Sequence, residues 1–494
     1  MRHLLITTAM GMSLIACTTV PAPISDAEIA TQTTALRTKI TSQQEPVVQS
    51  ISLYEAMARS LKYNLDHRVK MMELDLSKAD YDVSRYDLLP KVVASGGYFG
   101  RSNEAGSSSL SLLSGRQSLE PSTSTEKDVW SGDLTASWDV LDFGLSKIRS
   151  AQLADEAMIY EERRRKAVIQ IMEDVHRAYW RAVSFERLSN RLAALEGDVK
   201  QAFSQSRQLY ASRRTAPMPA LSYQRELNDI RGQVQRMSRD LRLAKMELAS
   251  LIGLAPDQQF TLQMPTHERR PAPLAMNYSD MIDVALRQRP EVRESLYAQR
   301  IGEKEMKKAV LEALPSIEGF AGLETSSNDF LFNKDWADYG ARASWNVLKV
   351  FTIGKRKRKA KARAELEEQK ALAAAMAVMT QVGVARAQYE SFMQEYETAK
   401  VGAEVQGDIL GQVEALSSVS SASRQTLVRE RMNAIISEAR KDGAHAEMKQ
   451  ATAHIYTALG YDPYGVDIRG DEDIATIAKS LEALWVSRSQ MPGQ

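Results

Sequence analysis

Two stretches of the chain alternate regularly between apolar and polar side chains. In residues 130–140 the even positions are apolar or small, and in residues 337–347 the odd positions are. A period of two over about 11 residues matches a tilted strand that crosses a bilayer. The alternation predicts strands at about 129–141 and about 337–348, with weaker partner strands at about 92–102 and about 316–325. A half-buried sheet in a soluble protein would fit the same alternation.

Apolar residues with alternating spacings of three and four follow each of these strands, and such a stripe is the seam of a coiled coil. The stripe predicts a long helix at about 145–212 with a return helix at about 219–252, and a second pair at about 355–415 and about 424–459. At 1.5 Å per residue, the first long helix measures about 100 Å. The stripe comprises Val168, Ile171, Val175, Ala178, Ala182 and Phe185, then Leu227, Ile230, Val234, Met237, Leu241, Ala244, Leu248 and Leu251, and in the second pair Val382, Ala385, Tyr389, Phe392, Tyr396 and Ala399.

The chain carries one plan twice. Residues 53–92 align without gaps to 278–317 at an offset of 225. In each copy a Leu-Pro pair, at 89–90 and at 314–315, precedes the first strand. From the shared phrase S-W-x-V-L onward the offset is 207, so that Trp138 corresponds to Trp345 and Gly253 to Gly460. A helix at about 52–88 opens the first copy and stops at Pro90, because proline lacks an N–H and disfavours helix before it. We therefore expect a first repeat at 52–253 and a second at 278–460.

The remaining segments flank these repeats. Residues 1–16 have Arg2 followed by the apolar run 4–16, which is typical of a signal peptide. The only cysteine, Cys17, follows directly and resembles the lipidated (palmitate-bearing) residue of a bacterial lipoprotein; an ordinary signal peptide is the alternative. We expect collar or linker segments at 17–51, 254–277 (Pro-rich) and 461–494, of which the first and last are polar enough for partial disorder.

Composition and motifs give no indication of an enzyme. The six histidines lie apart in the sequence, and the motifs of zinc proteases, serine hydrolases and P-loops are missing, so no catalytic, cofactor or metal residues are predicted. The formal net charge is +1, which provides no overall field for nucleic acid. A basic run, "GKRKRKAKAR" at 354–363, follows the last predicted strand. Long basic side chains there either reach lipid headgroups or form a solvated helix face.

Together these features resemble the TolC-like outer-membrane efflux factor family, in its lipoprotein branch. The resemblance rests on the duplicated order of "EAMARSLKYNLDHR" and "DVALRQRPEVRE", Leu-Pro, S-W-x-V-L and a closing Leu-x-Gly or Leu-Gly. It implies a membrane α+β fold built from a duplicated helix-strand-strand-helix-helix repeat. Four strands per chain then contribute to a trimeric, 12-stranded β-barrel above a long periplasmic α-helical barrel. Four strands alone cannot close a barrel, and open edges cannot remain in lipid.

The resemblance also implies a function and partners. It predicts a homotrimeric outer-membrane channel, a passive conduit for efflux or secretion (including type I secretion), anchored in outer-membrane lipid and extending into the periplasm. Its partners would be a periplasmic adaptor (membrane-fusion) protein and an inner-membrane pump of the RND, ABC or MFS type, and the cargo stays open. The alternative is a lipid-anchored periplasmic coiled-coil scaffold that conducts nothing.

In such channels the turns between long and return helices form the gate and meet the adaptor. The sequence lacks the paired aspartates of well-studied members near the second turn and has Arg424, Arg429, Glu430 and Arg431 there instead, with Glu226 near the first turn. We expect an Arg-containing polar network to hold the gate; an ordinary solvated cluster is the alternative. The candidate adaptor contacts are Arg213, Arg214, Pro217, Pro219, Ser420 and Ser421.

Overall fold

The computed structural model describes residues 22–42, 44–47, 50–212, 216–255, 258–264, 276–418, 424–461 and 472–490. Cys17, Arg213, Arg214, Ser420 and Ser421 lie outside these residues. The helices are α1 (Asp26–Ser42), α2 (Leu53–Tyr63), α3 (Leu65–Tyr86), α4 (Val140–Ala211), α5 (Pro217–Leu251), α6 (Tyr278–Gln288), α7 (Pro290–Leu311), α8 (Leu348–Ser418), α9 (Arg424–Ala458) and α10 (Ile474–Gln490). The strands are β1 (Lys91–Gly100), β2 (Asp128–Asp139), β3 (Ser316–Ser326) and β4 (Asp335–Ser344).

The strands form one antiparallel sheet in the order β1-β2-β3-β4, so β1 and β4 are its edges. Its register places Ala94, Leu134 and Leu323 side by side on one face, and Ser95, Asp133 and Glu324 side by side on the other. Because neighbours in register share a face, the whole sheet has an apolar and a polar side. The predicted alternation is confirmed in both copies. Each strand differs from its predicted bounds by a few residues, and β4 most, since it ends at Ser344.

Helices from the two copies lie side by side and build a wall. In the half nearer the sheet the order is α3–α4–α7–α8, and in the other half it is α5–α4–α9–α8. The long helices α4 and α8 have 72 and 71 residues, about 108 Å each, and run through both halves. Most of the heptad positions in this wall are buried, for example Val168, Val175, Leu227 and Val382 at 0% exposure. The Phe185 side chain is outside the described part.

We expect one continuous helix over 52–88, but the structure shows that the first helix of each copy is broken in two. Asn64 takes an extended conformation that ends α2, and its side chain accepts from the His67 N–H to begin α3. Arg289 takes the same extended conformation before Pro290 in the second copy, where no side chain caps the helix. Each break packs on the glycine that closes its repeat, and both glycines have positive φ: Gly253 at 80° and Gly460 at 73°. A Cβ on Gly460 would lie 2.7 Å from the Arg289 nitrogen, so only glycine fits.

Helix α4 begins at 140 rather than about 145 because Asp139 caps it. The Asp139 carboxylate accepts from the N–H groups of Leu141 at 2.8 Å and Asp142 at 2.9 Å. Helix α8 begins at 348 rather than about 355, so the basic run at 354–363 belongs to its first turns.

Flanking segments meet at the middle of the wall. Ile51 bridges to Leu262 of the linker, and Glu45 accepts from Lys62 at 2.8 Å and from the Ile474 N–H. The expectation of a partly disordered C-terminal segment is wrong for 474–490: α10 is a helix that buries Ile474, Ile477 and Leu481 against α2. In contrast, α1 is exposed along its described length.

Among the helices of the described residues, none combines the length and apolar character that a membrane-crossing helix requires.

Candidate functional site

The candidate site is the tip, which we define as the end of the wall farthest from the sheet, around residues 188–231 and 406–439. Its centre is an apolar cluster from α4, α5 and α9. Leu188, Leu227 and Met432 are at most 2 % exposed in it. This cluster continues the heptad seam and gives the polar side chains around it a fixed position. The cluster comprises Leu188, Leu192, Leu195, Val199, Ala202, Leu227, Ile230, Val234, Val428, Met432 and Ile435.

An arginine of α9 joins the two return helices. Both ends of the Arg429 guanidinium contact the Glu226 carboxylate of α5, with Nη2 at 2.9 Å from Oε2. Two parallel contacts are the favoured geometry of an arginine–carboxylate pair. The Glu226 carboxylate raises the pKa of Arg429 above its usual value. The pair connects copy one to copy two.

A second arginine connects three helices. The Arg431 side chain on α9 lies 2.9 Å from the Asp198 carboxylate of α4 and 3.3 Å from the Glu414 carboxylate of α8. Beside it, Glu430 accepts from Gln406 of α8 at 2.8 Å and from Asn433 at 3.2 Å. The predicted gate residues Arg429, Glu430 and Arg431 thus each make polar contacts with other helices of the chain. The side chain of Arg424 is outside the described part.

Glu226 was seen in the sequence, whereas Asp198, Glu414 and Gln406 were missed. They lie on the far turns of the long helices, and nothing in their local spacing distinguishes them from solvated charges. A count of helical turns from the sheet would have placed Asp198 near Arg431, because antiparallel helices bring residues at equal depth together.

Pro217 and Pro219 open α5, and both are exposed. Pro217 occupies the first turn, where its missing N–H costs nothing. Farther along the two helices, a groove of about 340 Å³ runs between α4 and α5. It has apolar and cationic lining residues in alternation, which suits an amphipathic helix with acidic side chains. Its lining includes Val199, Lys200, Phe203, Arg207, Leu227 and Arg231.

A second cluster lies at the level of α10, where the structure brings together two histidines that are remote in sequence. His176 stacks on Trp485 at 5.9 Å, and His445 meets the edge of Trp180 at 5.0 Å. Burial lowers the pKa of His176 to about 3, helped by Lys449 and His445 nearby. In the part of the chain that is described, no group of His, Cys, Asp and Glu could hold a metal ion.

Comparison with known proteins agrees with this geometry. Residues 56–254 match the sequence model of the outer membrane efflux protein family. The first copy of the chain is thus similar to this family. The model covers the first copy, and the internal repeat carries the same plan into the second. No curated protein matches the sequence.

Solved structures of outer-membrane proteins share the fold of this chain. The Campylobacter jejuni CmeC channel has a TM-score of 0.65 at 14% identity and covers 95% of this chain and 98% of its own. The open-state Neisseria gonorrhoeae MtrE channel has a TM-score of 0.62 at 18% identity, covering 85% and 94%. The Vibrio cholerae VceC protein has a TM-score of 0.62 at 12% identity, covering 83% and 96%.

Proposed function

We propose that three copies of this chain form a passive conduit through the outer membrane, as the outer component of a tripartite export system. The observation that carries the proposal is the sheet. One of its faces is apolar, the other is polar, and its two edges, β1 and β4, are left without partners among the described strands. Joining the edges of three copies gives twelve strands with an apolar outside and a polar inside, which satisfies every backbone group.

The helical wall supports the same assembly. Helix α3 packs on α4 and buries Leu74, while its opposite side carries an apolar heptad stripe. Every residue of the stripe is more than half exposed in the single chain. A stripe of this length needs a partner, and a neighbouring copy provides one. The stripe comprises Leu65, Val69, Met72, Leu76, Val83 and Tyr86.

Conduction in a planar bilayer tests this function. We expect discrete conductance steps and a trimer band on an unheated gel that shifts to the monomer on boiling. A non-conducting, heat-insensitive protein of the same size would contradict the proposal and favour a scaffold.

The tip network is proposed as the resting gate, supported by Arg429–Glu226 and by the three-helix contacts of Arg431. Charge reversal at Arg424 and Arg429 together should raise the single-channel conductance, because the contacts between copy one and copy two are lost. Unchanged currents would show that the cluster is merely solvated.

The groove between α4 and α5 and the exposed residues at Pro217 and Pro219 are proposed as contacts for the periplasmic adaptor, with Arg213, Arg214, Ser420 and Ser421. An inner-membrane pump of the RND, ABC or MFS type would then supply the energy. Site-specific photocrosslinkers at position 218 should capture the adaptor in cells, and a crosslinker at position 158, far from the tip, is the matched control. Equal capture at both positions would contradict the assignment.

The lipid anchor and the collar are proposed as well. Cys17 would be the lipidated mature N-terminus, and the segments 17–51, 254–277 and 461–494 would form a collar, supported by the contacts of Ile51 with Leu262 and of Glu45 with Ile474. Mass spectrometry of the mature protein tests the anchor: a diacylglycerol and acyl mass on Cys17 is expected. An unmodified Thr18 start would refute it.

A further inference from the structure

The contact between the two repeats inside the chain is a template for the contact between neighbouring chains. Near the sheet, the helix order α3–α4–α7–α8 makes α4–α7 a junction between the long helix of one repeat and the short helix of the next. The same kinds of helix are left over at the two ends of the wall, α8 and α3. A head-to-tail contact that repeats the α4–α7 junction closes a ring, as heterologous interfaces do.

The repeat offsets convert each internal contact into one between chains. In the α4–α7 junction, the Gln152 amide donates to the Glu305 carboxylate at 3.0 Å. At the offsets of 207 and 225, Gln152 corresponds to Lys359 on α8 and Glu305 to Asp80 on α3. An amide–carboxylate contact thereby becomes a cation–carboxylate pair. Both Lys359 and Asp80 are exposed, and within the described part of the chain neither makes an ion pair.

The apolar positions of the junction convert in the same way. A Cβ on Gly144 of α4 would lie 3.8 Å from the Leu311 side chain of α7. Their counterparts are Phe351 on α8 and Tyr86 on α3, which are 78% and 73% exposed in the single chain. Two large exposed rings thus fall at one level of the seam, about 12 Å nearer to the sheet than Lys359.

Charge polarity distinguishes the two junctions. Inside the chain, α4 contributes the buried Asp155 and α7 contributes Arg300 and Lys304. Between chains the signs are exchanged, because α8 carries the basic run 354–363 and α3 carries Asp75 and Asp80. Inside the chain α8 also packs on α7, and there Arg356 of the run pairs with Glu312 at 2.6 Å. At the free side of α8, the carboxylates of α3 from a neighbouring chain would complement the remaining cations of the run.

Resting on the proposed trimer, we infer that the basic run is the docking surface for the α3 helix of a second copy, with Lys359 binding Asp80 of the neighbouring copy and Phe351 packing on Tyr86 of that copy. This assigns the run a role in ring closure, in place of lipid headgroups or a solvated face.

Charge exchange tests the ion pairs in the full-length protein. R358E/K359E and D75K/D80K should each raise the trimer dissociation constant about tenfold to hundredfold, from about two- to fivefold per seam over three seams. The concentration for half-trimerisation varies as the square root of this constant and should therefore rise about threefold to tenfold. The four changes combined in one chain should restore the trimer. Circular dichroism confirms that each variant is folded. The inference would be overturned if the chain with all four changes did not form the trimer. It would also be overturned if the charge variants stayed trimeric and lost only their binding to anionic lipid.

A cysteine pair tests the register independently. F351C combined with Y86C should give a covalent trimer on a non-reducing gel. F351C combined with L76C is the control, since position 76 lies about 15 Å farther along α3. A wild-type chain that is monomeric in light scattering would defeat the proposed function itself. A trimeric wild type without the 351–86 crosslink would defeat only the inferred seam.

Discussion

The Arg429–Glu226 pair allows a quantitative prediction for the gate. In the single chain Arg429 and Glu226 are 45% and 31% exposed, so solvent screens their attraction. Pairs of this kind contribute about 0.2–1 kcal/mol each. If three copies open together, removing the pair by Arg429→Gln shifts the closed-to-open equilibrium by about 0.6–3 kcal/mol, or about threefold to 150-fold. Arg429→Glu should exceed this shift, because two carboxylates then repel each other.

Single-channel recording measures the effect as open probability at fixed voltage. The double exchange R429E/E226R should return the open probability close to the wild-type value, since the pair is restored with its direction reversed. Arg386→Gln is the matched control: Arg386 pairs with Glu390 at 3.0 Å within α8 and is 40% exposed. An equal effect of Arg386→Gln, or no recovery in the exchange, would refute the gate.

Three further predictions concern stability and assembly. Gly460→Ala should destabilise the trimer by about 2–5 kcal/mol, because of positive-φ strain and a clash with the Arg289 backbone. The thermal midpoint should therefore fall, and an unchanged midpoint would contradict this. Burial lowers the pKa of His176 to about 3, so the neutral ring stabilises fully above about pH 6.5 and that contribution is lost as the pH falls towards 3. His176→Phe should flatten the acid dependence of amide exchange in α10, and a parallel acid dependence would argue against it. Leu76→Glu should prevent trimer formation because Leu76 lies in the exposed α3 stripe, whereas Lys78→Glu should leave the trimer intact; equal effects would contradict the seam.

The sequence predicted the elements whose pattern is local and repeated. The strand around Trp138 and the helix around Val175 each keep one face apolar along their whole length. Their patterns can therefore be recognised in the sequence without knowledge of tertiary contacts. The break at Asn64 was missed because asparagine interrupts a helix only when its side chain caps the next one, as it does here. Helix α10 was missed although Ile474, Ile477 and Leu481 have helical spacing, because polar neighbours hide so short a stripe.

The tip could be predicted only in part. Charges around Arg429 mark the turn, but their partners depend on which helices become neighbours. Asp198 and Glu414 lie on different long helices and meet at Arg431 through the wall order α4–α9–α8. His176 and His445 both pack on Trp180 for the same reason. Such contacts depend on how far each residue lies from the sheet along its helix. The repeat in the sequence gives that distance, but the contacts follow only when the order of the helices in the wall is known.

The central claim is that the sheet separates hydrocarbon from water. Single cysteines along 130–139 of β2 and 335–344 of β4, in trimers reconstituted into lipid vesicles, measure this directly through their reaction with a membrane-impermeant thiol reagent. We expect rapid reaction at 131, 133 and 135 and slow reaction at 130, 134 and 138, with odd positions slow and even positions fast in β4. Uniformly rapid labelling along both strands would contradict the account.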